Sequence, residues 1–176
     1  MSIPQWYAGQ VITADRLNAR NLNIIEQSGN QIATTTSLQA SEITASFEPG
    51  AVYAYWCYIS YTAHFDNDFQ WQWAGTNVTL ASFTQALAPG DNTGHNASRP
   101  SIFRRPGNTI VRIAGGTSNL PATSVNQTAY DAGTLFTGSG DPTITLMFAK
   151  YSNETEDQPT TLNGGNQTRF LYQRIA

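Results

Sequence analysis

The thirteen residues from 51 to 63, Ala-Val-Tyr-Ala-Tyr-Trp-Cys-Tyr-Ile-Ser-Tyr-Thr-Ala, contain no charge, no glycine and no proline. Their β-branched and aromatic side chains favour an extended chain. In such a chain successive side chains point to opposite sides, so one face carries Tyr53, Tyr55, Cys57, Ile59 and Tyr61, and the other Val52, Ala54, Trp56 and Tyr58. Both faces want to be dry. A strand of an antiparallel sandwich meets the internal core on one face only, so the second face calls for a cover, and a neighbouring subunit is the economical one. Tyrosine suits that contact because its ring buries area while its hydroxyl keeps a hydrogen-bond partner. The face of Tyr53, Tyr55, Cys57, Ile59 and Tyr61 is therefore assigned to the subunit interface and the Trp56 face to the core, with the reverse assignment open.

The sequence around this strand speaks the same language. Residues 42–48 alternate polar and apolar, with Ile43, Ala45 and Phe47 inward, and Pro49-Gly50 follows as a turn. Further strands are expected at 68–74, 78–85, 101–105, 109–114, 127–136, 143–151 and 169–175, separated by clusters such as Pro89-Gly90-Asp91-Asn92 and Asn163-Gly164-Gly165-Asn166. The closing strand is apolar and is expected beside residues 51–63. Eight or nine short strands with no helical period between them indicate an all-β antiparallel sandwich or jelly roll. Composition agrees: 61 of 176 residues are Ser, Thr, Asn or Gln and only 12% are charged, a chain poor in the residues that surface helices use.

The first 33 residues differ in kind. Thr13 stands where an N-cap would, Asp15 falls in the first turn, and Leu17, Leu22, Ile24 and Ile25 recur at helical spacing. This predicts a short α-helix over about 13–27, ended by Ser28-Gly29-Asn30. A helix of four turns is not stable alone, so its apolar stripe must dock, either on its own sandwich or on a neighbour. The expected organisation is an N-terminal segment, 1–33, and a β domain, 34–176.

Chemistry is sparse. His64, Asp66 and Asp68 could share one side of an extended segment, but they lack the later ligands and the glycine of a calcium loop and read as an acidic turn. His95 has no partner at ligand spacing, and Cys57 sits in the apolar strand, where a thiol is a quiet, small hydrophobe. No catalytic, metal or cofactor residue is assigned, and an enzyme is not expected. A net charge of −3 with a single lysine does not fit nucleic acid, and no apolar run is long enough for a membrane helix. The start, Met-Ser-Ile-Pro-Gln-Trp, lacks the pattern of a signal peptide, so synthesis in a cytoplasm is expected and the five Asn-X-Ser/Thr triplets are discounted. Arg104 and Arg105, flanked by Arg99 and Arg112, form the one basic cluster and could grip acidic groups on a partner or simply lie solvated at a strand end. Trp71 and Trp73, which follow Phe69 on one face of their strand, would stack on sugar rings if exposed and fill the core if not.

The opening, Trp6-Tyr7-Ala8-Gly9-Gln10-Val11-Ile12-Thr13-Ala14-Asp15-Arg16-Leu17-Asn18, resembles the start of many tailed-bacteriophage structural proteins: an aromatic, Ala-Gly-Gln, an apolar pair, Thr-Ala, then a helix near Leu-Asn. The likeness covers the N-terminal third and extends to the rest by pattern. It implies a virion protein of the minor tail, head-fibre or capsid-decoration group, whose β body is similar to the trimeric jelly roll of tumour-necrosis-factor type. On that resemblance, Trp6, Tyr7, Leu17, Leu22, Ile24 and Ile25 would attach to the major capsid protein or a tail protein, and the body would form a homotrimer located in the virion. The chain has no shaft or second domain, which favours a compact knob over a long fibre. A rival reading is a host-binding tail module that recognises surface glycans through Trp71, Trp73 or the loop around His95.

Overall fold

The computed structural model describes residues 8–11, 13–14, 21–64, 66–87, 100–106, 110–116, 126–152 and 158–176, with residues 87 and 100–106 described by their backbone alone. Two antiparallel sheets face each other. The larger runs in the order β1 (Asn23–Glu26), β12 (Arg169–Arg174), β4 (Val52–Thr62), β9 (Gln127–Thr137), β6 (Val78–Leu87), β7 (Pro100–Pro106), with β11 (Thr160–Leu162) bridging the end of β4 to β2 (Gln31–Ala33). The smaller runs β3 (Gln39–Ser46), β10 (Thr143–Lys150), β5 (Phe69–Thr76), β8 (Arg112–Ala114). From β3 to β6, and again from β7 to β10, consecutive strands change sheet, so each connection wraps over the core it encloses. The chain is thus an all-β sandwich, and its closing strand lies where the sequence places it, with Phe170 opposite Cys57 and Leu171 opposite Trp56.

The core is aromatic and crosses the gap between the sheets. Tyr61 stacks on Phe69 with ring centroids 4.5 Å apart, Trp73 meets Phe170 at 5.2 Å and Tyr55 at 6.2 Å, edge-on. Ile43, Ala45 and Phe47 point inward as their alternation predicts, joined by Ile144, Leu146 and Phe148 of β10. Because Phe69, Trp71 and Trp73 supply much of the filling, all three are wholly buried and the glycan contact expected of Trp71 and Trp73 is not available to them.

Strand β4 overturns its expected orientation. Tyr53, Tyr55, Cys57, Ile59 and Tyr61 are the core face, not a subunit interface, and Val52, Ala54, Trp56 and Tyr58 look outward. The reason lies in the hydroxyls. Tyr61 donates to the Gly115 carbonyl at 2.7 Å, Tyr55 donates to Asp131 at 3.4 Å and Tyr53 accepts from the Glu48 N–H at 3.1 Å, so these rings carry no unsatisfied polar atom inside. Burial pushes the Cys57 thiol well above its ordinary range, reinforced by the nearby Asp131 carboxylate. A thiol-disulfide reagent should therefore leave Cys57 unmodified in the folded protein and modify it fully in denaturant; rapid native labelling would return this face to the outside.

The N-terminal segment departs from expectation as well. Residues 15–20, with Trp6, Tyr7 and Leu17, lie outside the described residues, but where the helix was to end the chain is a strand. Ile24 pairs with Leu171 and Ile25 with Phe170. Two adjacent isoleucines are stiff at χ1 and suit a ladder, and β12 offers an edge to extend, which outweighs a helical spacing carried by few residues. Ile25 packs toward the core, while Ile24 faces out. Gln27 then anchors the turn: fully buried, it donates through its amide to Gly29 and Gln31 and accepts from the Glu42 N–H at 3.1 Å, while its backbone N–H donates to Thr168. The sandwich therefore includes β1 and β2 and begins by residue 23, not at 34.

Candidate functional site

Two features stand out once the strands are in register, one on the surface and one in the core. On the outer face of the large sheet the pairing aligns Ile24, Leu171, Trp56, Ala132 and Phe83 in a single row across β1, β12, β4, β9 and β6. Directly opposed residues of antiparallel strands point to the same side, so the row is a continuous apolar stripe. Ile24 is 54% exposed and Phe83 57%. The next row holds Tyr58, 47% exposed, whose ring lies 5.1 Å from that of Tyr130. Two rows the other way, Val52 stands opposite Phe136, 46% exposed. Ala54, Thr134 and Ala81 fill the row between without a charge.

Beside the tyrosine pair the surface dips into a groove of about 690 Å³. Ile59, Ala86 and Ala129 line it together with the amides of Gln85, Asn126 and Gln167, and Asn126 donates to Gln167 at 2.6 Å. Charge borders this face where Glu26 pairs with Arg169 beyond Tyr58 and where the register sets Arg104 of β7 opposite Phe83. Of the residues expected to contact a partner through the N-terminal segment, Leu22 and Ile24 are exposed at this same edge, and Ile25 is turned inward. Phe83 has no contact role in the sequence reading, and the Trp56 face has one only under the reverse assignment left open there.

The second feature is an ion pair sealed in the sandwich. Arg112 of β8 and Asp131 of β9 are both fully buried, with Arg112 Nε 2.8 Å from Asp131 Oδ2. The guanidinium also donates to Ser82 at 2.7 Å, Thr84 at 3.2 Å and the Ile110 carbonyl at 2.9 Å. Asp131 accepts from the Trp73 indole at 2.9 Å and the Tyr55 hydroxyl at 3.4 Å. Desolvation pushes the Asp131 carboxyl upward, and Arg112, then Trp73, pull the other way. Burial and Asp131 together raise the Tyr55 phenol far above its ordinary value of 10.0. The Trp71 indole has no hydrogen-bond partner of its own, although its dipole favours the carboxylate. Both charged groups are shut off from solvent, so the arrangement bears on stability. It also removes Arg112 from the expected basic cluster; Arg104 and Arg105 sit on β7.

The acidic turn does not gather a metal set. His64 Nδ1 accepts from the Asp66 N–H at 3.3 Å and lies 3.3 Å from the Asp66 carboxylate. Asp68, held at a φ of 48°, directs its carboxylate to the Gly116 N–H at 2.8 Å instead. Among the described residues no group of three or more His, Cys, Asp or Glu side chains could hold a metal ion, and no helix is long and apolar enough to cross a membrane.

No protein-family model matches the chain, and no curated protein matches it in sequence. Among solved structures, the VP2 subviral particle of infectious bursal disease virus aligns over the whole of this chain at 12% identity with a TM-score of 0.33. A mutant VP2 protein of the same virus in derived T=1 particles aligns at 11% with a TM-score of 0.32. This chain spans 43% and 41% of those two chains. At such values the likeness decides nothing about role.

Proposed function

We propose that the chain is a non-enzymatic structural protein of a bacteriophage virion, of the capsid-decoration or head-fibre kind, in which a jelly-roll body assembles as a homotrimer and binds the virion lattice. The observation that carries this reading is the exposed apolar stripe on the outer face of the large sheet, which a protein working alone in water has no reason to display at this extent. The opening from Trp6 to Asn18, with its likeness to tailed-phage structural proteins, supports the virion setting. A surface rich in Thr and Asn and poor in charge tolerates dense repetition without strong self-repulsion, and many copies multiply modest contacts into firm attachment. Native mass spectrometry of the purified full chain is the direct check. The expected species has three times the 19.2 kDa chain mass, and a monodisperse 19.2 kDa monomer at micromolar concentration overturns the reading.

A further inference from the structure

We propose that the outer face of the large sheet, centred on Trp56, Tyr58 and Phe83, is the surface through which copies of this chain bind one another; this rests on the assembly reading above and names its contact.

Three observations point to a second copy as the occupant. The first is area. An aromatic side chain presents about 200 Å². At the exposures of Tyr58, Phe83 and Phe136, these three rings alone offer roughly 300 Å², more than a third of the ~800 Å² that each partner of a standard interface buries. Ile24, Leu171 and the partly exposed Trp56 adjoin them. The second is charge. On the outward side, from the row of Phe136 to the row of Trp56, no residue of β12, β4, β9 or β6 is ionised; the register sets Arg104 opposite Phe83 and Arg169 opposite Tyr58 at the flanks, so the middle of the face adds no like-charge repulsion between two copies. The third is chemistry. Tyr58 and Tyr130 put amphipathic rings beside the amides of Gln85, Asn126 and Gln167, the mixture of flat apolar area and adaptable hydrogen bonding that association surfaces favour. The outer face of the small sheet is different: Thr44 and Thr145 lie on it, their hydroxyls hydrogen-bonded to each other at 3.1 Å in solvent.

Sedimentation velocity of the full chain across a dilution series tests this, with three proteins compared. The wild type is expected to assemble. Phe83→Glu combined with Tyr58→Arg is expected to raise the dissociation constant about 100-fold or more, since two rings at the centre of an interface are replaced by charges. Thr44→Arg, on the opposite sheet, is expected to leave it unchanged. Both altered residues are exposed in the single chain, so the sandwich survives, and continued protection of the buried Cys57 thiol verifies that. If the wild type assembles and the double variant assembles as tightly, the contact lies elsewhere and the assembly reading stands. If the wild type stays monomeric throughout, both fail.

Discussion

Replacing Arg112 with Met should cost about 3–5 kcal/mol of folding stability, a large share of the roughly 5–15 kcal/mol that holds a native domain folded. The substitution keeps much of the side chain's length but strands the Asp131 carboxylate in the core, with only the Trp73 and Tyr55 donors left to it. It also leaves the hydroxyls of Ser82 and Thr84 without their shared partner. Arg112→Met with Asp131→Asn should recover about half the loss, because the amide removes the uncompensated charge yet still accepts from Trp73. Denaturant unfolding followed by the fluorescence of the buried tryptophans reads both. The single variant should also acquire a characteristic pH dependence. Burial already pushes Asp131 above the ordinary 3.8, and without Arg112 the chief opposing pull is gone. A carboxyl raised in the folded state binds its proton more readily there than in the unfolded chain. Its relative stability is therefore greatest below about pH 4 and declines as pH rises through the folded value. A variant whose deficit against wild type is constant from pH 4 to pH 7 would show that Asp131 is not the stranded group.

The legible and illegible parts of this molecule divide by range. Period-two alternation located β3 and β5, and the apolar run at the end placed β12 beside β4, because each signal is carried by neighbours in sequence. The inward face of β4 was not decided locally. Both faces are apolar, and the tie is broken by the Gly115 carbonyl and the Asp131 carboxylate, 54 and 76 residues away from the tyrosines they satisfy. Strand β1 read as helix because two isoleucines fit either period, and only the edge of β12 chooses between them. Strands β2 and β11 have three residues each, too few to show a period. The ion pair left one usable trace. Asp131 occupies an inward position between Ala129 and Leu135, and a charge on the dry side of a strand requires a partner somewhere in the fold. The exposed row from Ile24 to Phe83 had no such trace, since it exists only once five strands are in register.

Gly133→Ala should be as damaging as the loss of Arg112, and for a connected reason. Gly133 lies on β9 between Tyr55 of β4 and Ser82 of β6, at the inward position next to Asp131. A Cβ there would stand 2.0 Å from the Ala81 carbonyl oxygen and 2.9 Å from Ser82 Cα. The obstacle is backbone, not the end of a flexible side chain, so β6 must shift away from β9 by more than an ångström. That breaks ladder hydrogen bonds in the middle of the large sheet, and a cost at or above the upper end of ordinary overpacking, about 3 kcal/mol, is expected. The displaced strand is the one that presents Ser82 and Thr84 to Arg112. Moving it loosens the guanidinium's anchorage, so part of the Arg112 contribution is already lost in Gly133→Ala. The combined Gly133→Ala and Arg112→Met protein should then lose less than the sum of the single losses, by about 1 kcal/mol or more in a double-mutant cycle measured by denaturant unfolding. Strict additivity would mean that the close approach of β6 to β9 and the sealing of the ion pair are independent, and that the glycine is there for the sheet alone.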